Sequence, residues 1–262
     1  MAHPNFLLNS RTLIIGGSSG IGFAVASGAL SNGSKVHITS ATAEKLSAKV
    51  KQLQSLYPNT HVGGSAADLS STETLEGSLQ SILDAAVKEI GGALDHIVYT
   101  SGDFPMRIPL AQATAVTALA AFTVRYLGPL LVGKLVAANP EKYLNPAASS
   151  SITLTSGAMA HHPRPGSSAS VGVAGAVEVL TRALAVDLAP IRVNVIVPGL
   201  VETELVEQMF KGNQALLLGF KAATLTKELG TPAGAAEAYL FSMRSALATG
   251  QDFKIESGAL TA

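Results

Sequence analysis

A run of glycines between an apolar stretch and an apolar helical pattern is the feature with the clearest chemical meaning. Residues 12–15 read as a buried strand, residues 21–31 read as a helix, and Gly-Gly-Ser-Ser-Gly-Ile-Gly lies between them from Gly16 to Gly22. A strand, a glycine-rich turn and a helix place backbone N–H groups where they can bind a pyrophosphate. The spacing G-x-x-x-G-x-G differs from the G-x-G-x-x-G fingerprint, so this turn alone is also compatible with an ordinary loop.

Further landmarks follow the glycine turn. They are Asp68-Leu69, Thr100-Ser101-Gly102, Ser156, Val177-Glu178, Arg192-Val193-Asn194 and Pro198-Gly199 with Thr203. Together these motifs resemble the short-chain dehydrogenases/reductases over essentially the whole chain. The resemblance implies one dinucleotide-binding domain over residues 1–262. It also implies an α/β fold with a Rossmann-type doubly wound parallel sheet of about seven strands and helices on both faces.

The resemblance implies a nicotinamide cofactor and the positions that hold it. Asp68 would meet the adenine amino group, and Val201 with Thr203 would bond the nicotinamide carboxamide. The alternative for Asp68 is a helix N-cap, and Pro198-Gly199 by itself is only a turn. The full set of expected cofactor-binding residues is Gly16, Ser18, Ser19, Gly20, Ile21, Gly22, Ser40, Thr42, Asp68, Leu69, Ser101, Gly102, Pro198, Gly199, Val201 and Thr203.

The end of the second predicted strand bears on the choice between NAD and NADP. An acidic residue there would grip the ribose 2′-OH and repel a 2′-phosphate. The chain has no carboxylate in this stretch before Glu44, whereas Ser40 and Thr42 can donate to a phosphate and Lys45 lies one helical turn on. The sequence therefore predicts NADP(H), although the arginine expected near position 41 is absent.

The catalytic centre departs from the family, whose active members use an Asn–Ser–Tyr–Lys set. Ser156 matches the serine, but the register of the following helix puts Ser170 at the tyrosine position and Ala174 at the lysine position. Arg125 stands where the asparagine is expected, and no Tyr-x-x-x-Lys occurs in the sequence. Reducing a ketone creates an alkoxide that needs a proton donor, whereas a cationic iminium carbon accepts hydride without one. The sequence therefore favours imine or iminium reduction.

A chain without this tetrad is similar to an offshoot of the family in fungal alkaloid biosynthesis. Those proteins are NADPH-dependent bifunctional reductase/Diels–Alderases of malbrancheamide- and paraherquamide-type indoles. The resemblance implies a small apolar substrate, such as an indole-alkaloid imine, and a cycloaddition guided by a shaped pocket. Two other classes stay open. One is a ketone or enone reductase with a substitute proton donor, and the other is a non-catalytic NADP-binding regulatory or scaffold protein.

Four polar residues are the candidate catalytic groups: Arg125, Ser156, Asp103 and His161. Arg125 could bond a substrate carbonyl or form a structural ion pair. Asp103 follows the fourth predicted strand, where it could stabilise a cation or cap a turn. His161 or His162 could replace the missing acid, although histidines in such a loop are more often surface residues.

Apolar residues late in the chain form a candidate lid over the substrate, with ordinary core packing as the alternative. They are Met209, Phe210, residues 216–218 and Phe220.

Composition limits the class of protein and its partners. The chain is 47% hydrophobic and 14% charged, with a mean hydropathy of +0.35, and lacks an uncharged apolar run of about 18 residues. Regions 110–138 and 171–189 are apolar nearly all round, so we expect a homodimer or homotetramer rather than a membrane protein; a buried helix pair in a monomer is the alternative. Zero formal charge and no basic cluster argue against nucleic acid.

Without cysteine, the chain has no thiolate nucleophile, disulfide or cysteine metal site, and we expect no metal. Its N-terminus has neither the basic region nor the long apolar core of a secretory signal, so a cytoplasmic protein is expected.

Alternating strands and helices predict a parallel sheet covered on both faces. Strands are predicted at 12–15, 35–39, 61–66, 94–100, 151–155, 192–197 and 251–256. Helices are predicted at 21–31, 42–56, 71–90, 110–138, 171–189, 202–223 and 233–243.

Overall fold

The structure is a computed structural model that describes residues 3–102, 108–210 and 212–261. Its strands are β1 (Arg11–Ile15), β2 (Lys35–Ser40), β3 (Val62–Ala66), β4 (His96–Tyr99), β5 (Ser151–Thr155), β6 (Arg192–Pro198) and β7 (Asp252–Ile255). All pair in parallel, in the order β3-β2-β1-β4-β5-β6-β7. The predicted doubly wound sheet is confirmed.

The helices cover both faces of this sheet. They are α1 (Gly20–Ser31), α2 (Ala43–Leu56), α3 (Leu75–Ile90), α4 (Ala115–Phe122), α5 (Gly128–Ala138), α6 (Ser168–Asp187), α7 (Glu204–Phe210), α8 (Gln214–Ala222) and α9 (Pro232–Arg244). Short 3₁₀ turns occur at Leu110–Gln112 and Ala158–Ala160, and a π turn at Thr123–Leu127 joins α4 to α5.

Two apolar cores lie on opposite faces of the sheet, because neighbouring strand residues point in opposite directions. Leu13 joins the core built with α3, α5 and α6, where Val132 and Val177 are buried. Ile14 joins the core built with α1 and α9, where Val25 and Tyr239 are buried. Strands buried on both faces explain why their sequences are almost continuously apolar.

The strand order reverses between β1 and β4, and this reversal creates the crevice that holds the candidate site. Ile15 ends β1, and its carbonyl oxygen accepts hydrogen bonds from the backbone N–H groups of Thr100 (2.8 Å) and Ser101 (3.1 Å). The two strand ends are therefore fixed side by side where open α/β sheets bind ligands.

The predicted helix at 110–138 is interrupted by the π turn. The Tyr99 hydroxyl donates a 2.7 Å hydrogen bond to the carbonyl oxygen of Val124 inside that turn. Gly128 makes this possible, because a Cβ at that position would collide with the same hydroxyl. A buried partner from β4 thus stabilises the wider turn, which the apolar pattern alone does not reveal.

The alternative that these apolar helices form a buried pair within one chain is wrong. Val116 and Leu119 on α4 are 78% and 67% exposed, and Val186 on α6 is 77% exposed. Stretches Ala115–Ala138 and Ser168–Asp187 are long and apolar enough to cross a membrane by length and composition, a test that core helices of soluble proteins also pass.

Smaller corrections concern helix ends. The predicted helix at 71–90 begins only at Leu75. The predicted helix at 202–223 is two helices, because Gly212 has a φ of +78° and the Asn213 side chain accepts from the Leu216 N–H to start α8. Gly-Asn was a readable break signal.

Burial of His96 makes folding stability depend on pH. Desolvation lowers the pKa of His96 to about 4, and its Nδ1 lies 2.9 Å from the Ser151 hydroxyl. The unfolded chain takes up this proton below about pH 6.5. The His96 contribution is thus intact above about pH 6.5 and falls by up to about 3 kcal/mol as the pH drops towards 4.

His96→Asn is expected to remove that part of the pH dependence. Denaturant unfolding from about pH 7 to about pH 4.5 should give a shallower loss of unfolding free energy than the wild type. His3→Asn, at an exposed position, is the matched control and should keep the wild-type slope. Equal slopes for His96→Asn and the wild type would contradict the prediction.

Candidate functional site

A cavity of about 890 Å³ opens at the carboxyl ends of β1, β4 and β5. All the residues that the sequence predicts to bind cofactor line it, from Gly16 to Thr203, together with Arg125 and Ser156. His162 lines the cavity, whereas His161 is not part of its wall. Asp103 lies outside the described residues. Residues predicted from separate motifs are therefore brought to one place.

The glycine turn is packed too tightly for side chains. A Cβ at Gly22 would collide with the carbonyl oxygen of Gly16, and one at Gly16 would lie 2.7 Å from the Ser101 nitrogen. Gly16 also has a φ of +93°, which favours glycine. At the start of α1, the Gly20 N–H donates to Glu204 Oε2 at 3.1 Å. The turn therefore already binds a carboxylate at the end of a helix where anions are favoured.

The end of β2 offers unused hydrogen-bonding capacity. Ser40 is 4% exposed, and its Oγ lacks a hydrogen-bond partner among the described residues. Thr42 caps α2 by accepting from the Lys45 N–H at 3.3 Å, and Lys45 lines the cavity. A buried hydroxyl without a partner is costly, so Ser40 fits a ligand that supplies one.

Asp68 and Leu69 follow β3 at the cavity wall. Asp68 Oδ1 accepts from the Ser70 N–H at 2.9 Å, and this hydrogen bond holds the pKa of Asp68 below its usual range. Asp68 is not the N-cap of α3, which is Thr74; it caps a local turn, and it lines the cavity. Leu69 is 8% exposed and packs into the core as well as lining the cavity.

The segment after β6 presents backbone groups to the cavity. Gly230 pairs with the Leu200 carbonyl and the Glu202 N–H on either side of Val201. Because hydrogen-bonding directions alternate along an extended segment, the N–H of Val201 faces away from Gly230. Thr203 starts α7 by accepting from the Val206 N–H at 3.3 Å.

Arg125 belongs to the π turn and reaches the end of β4. Its side chain lies against Gly102, where a Cβ would be 2.7 Å from the guanidinium carbon. Gly102 has a φ of +154°. A Cβ at Gly102 would therefore displace the Arg125 side chain from this position at the cavity wall.

Ser156 is held by α6. Its Oγ donates towards Glu178 Oε1 at 2.8 Å and towards the Ala174 carbonyl oxygen at 3.0 Å. His161 Nε2 lies 3.0 Å from Glu178 Oε2. Glu178 was used only as part of a family motif in the sequence and was given no role in the site. Its position in an otherwise apolar part of the helix could have indicated that it is buried.

The described cavity wall contains no tyrosine. Ser170 is buried, with its hydroxyl directed to the Ser167 carbonyl oxygen, and Ala174 lines the wall. Tyr99 and Tyr239 are buried nearby, and burial raises the pKa of both phenols.

The late helices close part of the cavity. Met209 and Phe220 line it, and the Arg164 guanidinium lies 4.1 Å from the centre of the Phe220 ring. Leu216 and Leu218 are 48% and 61% exposed and do not line the described wall, so their proposed place in the lid is wrong.

A parallel Rossmann sheet with a glycine turn at its switch point defines a dinucleotide-binding oxidoreductase fold. The profile of the SDR-like Rossmann domain matches residues 3–261. The chain belongs to this family, the short-chain dehydrogenases/reductases, and is an oxidoreductase of that class.

Several members of this family are similar to the chain over nearly its whole length. The chain is 37% identical to the short-chain dehydrogenase/reductase ATR9 of Stachybotrys chlorohalonatus over 94% of this chain and 95% of that protein. It is 35% identical to the short-chain dehydrogenase/reductase malC of Malbranchea aurantiaca over 98% and 96%. The structure of the MalC reductase/Diels–Alderase superposes with a TM-score of 0.92, at 34% identity, covering 98% of this chain and 99% of that one.

Proposed function

We propose that the protein is an NADP(H)-dependent reductase of a cyclic imine or iminium in alkaloid-type secondary metabolism. The observation that carries the proposal is the described cavity wall, which contains no tyrosine and has Ala174 at the family's lysine position. Ser170, at the family's tyrosine position, is buried and does not line this wall. The similarity to MalC extends the proposal to a Diels–Alder closure in the same cavity.

The residues present fit the cofactor. The glycine turn offers N–H groups to a pyrophosphate. The Ser40 hydroxyl, which has no hydrogen-bond partner within the described part of the chain, suits a 2′-phosphate together with Thr42 and Lys45. When bound, NADPH supplies a hydride. Val201 and Thr203 are proposed to hold the carboxamide, and Asp68 the adenine.

The part of the cavity that binds the substrate does not need to supply a proton for this reaction. When hydride adds to the carbon of a C=N⁺ bond, the π electron pair moves to nitrogen and a neutral amine results. Arg125 is proposed to bind a substrate carbonyl oxygen, and Ser156 to contact the reacting end. Asp103 is proposed to stabilise cationic character, and His161 is proposed as a substitute acid.

Exposed apolar side chains on α4 and α6 support the proposal of a homodimer or homotetramer, because such surfaces are a liability in water. We also propose a cytoplasmic location.

Single-turnover NADPH oxidation tests the proposal. Dihydro-β-carboline, a cyclic imine, is compared with the matched ketone tetrahydrocarbazolone, with NADH as a second cofactor. The imine should react at least about tenfold faster, and NADPH should bind more tightly than NADH. Faster reduction of the ketone would overturn the proposal.

A ketone reductase is the second candidate, because His162 lines the cavity and could donate a proton. His162→Ala should abolish ketone reduction if that reading is correct, and leave imine reduction nearly unchanged otherwise. NADPH binding without turnover of either compound would indicate a non-catalytic protein.

Glu204→Gln is expected to tighten NADPH binding by about threefold to tenfold. The Glu204 carboxylate accepts from the Gly20 N–H that a pyrophosphate would use, and its charge repels phosphate. Titration calorimetry with NADPH checks this. Glu207→Gln, on the same helix but away from the described cavity wall, is the control and should keep the wild-type Kd. Weaker binding by Glu204→Gln would contradict the prediction.

A further inference from the structure

A buried carboxylate lies beneath the surviving serine and has no role in the proposed function. The Glu178 side chain is 8% exposed on α6. Its oxygens contact the Ser156 hydroxyl at 2.8 Å and the His161 ring at 3.0 Å. A buried carboxylate is costly unless it is hydrogen-bonded, and here both Ser156 and His161 belong to the segment after β5 at the cavity.

The direction of the serine hydroxyl follows from its partners. Ser156 has one hydroxyl proton, and the two acceptors that the described residues offer it, Glu178 Oε1 and the Ala174 carbonyl oxygen, belong to α6. Neither of these acceptors can donate a proton back while Glu178 is a carboxylate. The Ser156 hydroxyl is therefore turned away from the cavity that it lines, and it presents only oxygen lone pairs to a substrate.

We propose that Glu178 is a positioning residue that fixes Ser156 as a hydrogen-bond acceptor, so that the site prefers a substrate with a protonated nitrogen. This inference rests on the proposed function and specifies that the substrate group near Ser156 is a positively charged hydrogen-bond donor. A hydroxyl polarised by a carboxylate attracts an N–H⁺ group and repels a carbonyl or alkoxide oxygen. The family's lysine position, Ala174, contributes no opposing charge.

His161 holds the carboxylate from the outside. Its ring lies within hydrogen-bond distance of both Glu178 oxygens, and its side chain is 29% exposed. Without the His161 ring, the Glu178 carboxylate would keep its hydrogen bond with Ser156 and would lose one other partner. The inference therefore gives Glu178 and His161 opposite effects: loss of Glu178 weakens binding of a cation, and loss of His161 does not.

Equilibrium binding tests the inference without any hydride transfer. The probes are tetrahydro-β-carboline, a protonated cyclic amine, and tetrahydrocarbazole, its neutral carbon analogue, each added to the NADP⁺ complex. The chain contains no tryptophan, so the indole emission of both probes can be read directly. Glu178→Gln should weaken amine binding about tenfold and leave the carbazole within about twofold.

A double-mutant cycle separates positioning from a bare charge effect. In the Ser156→Ala background, Glu178→Gln should change amine affinity less than twofold, because the residue acts through the hydroxyl. Asp187→Asn, an exposed charge on the same helix, should match the wild type. Melting temperatures show whether each variant is folded, and His161→Ala, which should bind amine at least as tightly as wild type, keeps the test decisive if Glu178→Gln unfolds.

The inference is overturned if Glu178→Gln binds the amine like the wild type or loses equal affinity in both backgrounds. It also falls if the wild type does not prefer the amine, or if His161→Ala weakens amine binding. Failure of the proposed function is a separate result, since that would appear as absent or slow imine reduction in single-turnover assays.

Discussion

Gly22→Ala is expected to raise the Kd for NADPH at least about 100-fold and to abolish detectable hydride transfer. The added Cβ would collide with the carbonyl oxygen of Gly16, which is backbone and cannot rotate away. The turn must then shift, and its N–H groups leave the pyrophosphate. Loss of two hydrogen bonds to a charged group, at about 1.5 kcal/mol or more each, accounts for the factor.

Gly77→Ala is the matched control for this variant. Gly77 lies inside α3 with open space around its Cα, so alanine should fit and raise the unfolding free energy by about 0.5–1 kcal/mol. Calorimetry measures NADPH binding, and denaturant unfolding shows whether each variant is folded. A folded Gly22→Ala protein with a Kd within threefold of wild type would refute the role of the turn.

Arg125→Met is expected to remove selectivity for substrates that carry a carbonyl group. Arg125 reaches the cavity over Gly102, and a charge-assisted hydrogen bond from it contributes about 1.5–3 kcal/mol, or about 10- to 100-fold. Single-turnover rates should therefore fall by that factor for a dihydro-β-carboline carboxamide. The unsubstituted dihydro-β-carboline should react within about threefold of its wild-type rate.

Arg125→Lys is the informative companion. Lysine keeps the charge but lacks the planar fork, so carboxamide rates should lie between those of the wild type and Arg125→Met. NADPH affinity should stay within about twofold in both variants. Equal losses for the two substrates would show that Arg125 supports the fold of the π turn rather than the substrate.

The parallel sheet and the positions of its strands were predictable because most of the strands are buried and read as apolar runs. The order of the strands was not predicted from the sequence. Residues 151–155 were predicted at the bounds that β5 has, since polar residues flank that run. The glycine turn and the motif after β6 were also readable, because their backbone geometry requires glycine and proline. The cavity therefore contains residues chosen from sequence alone.

The substrate end was less readable, because it depends on contacts between distant segments. Nothing in the residues near Glu178 shows that its carboxylate meets Ser156, 22 positions away. The exposure of Leu216 and Leu218 depends on a helix start set by the Asn213 cap, not on hydrophobicity. The place of His161 outside the wall likewise follows from its contact with α6.

The π turn at Thr123–Leu127 sets the rotation of the side chains of α5 about the helix axis relative to those of α4. One additional residue in a helical turn rotates the following side chains by about 100°. On either side of this turn, α5 buries Val132 and α4 exposes Val116. Deleting one residue here would consequently act as a rotation of half the segment, moving Arg125 off the cavity while every amino acid type is retained.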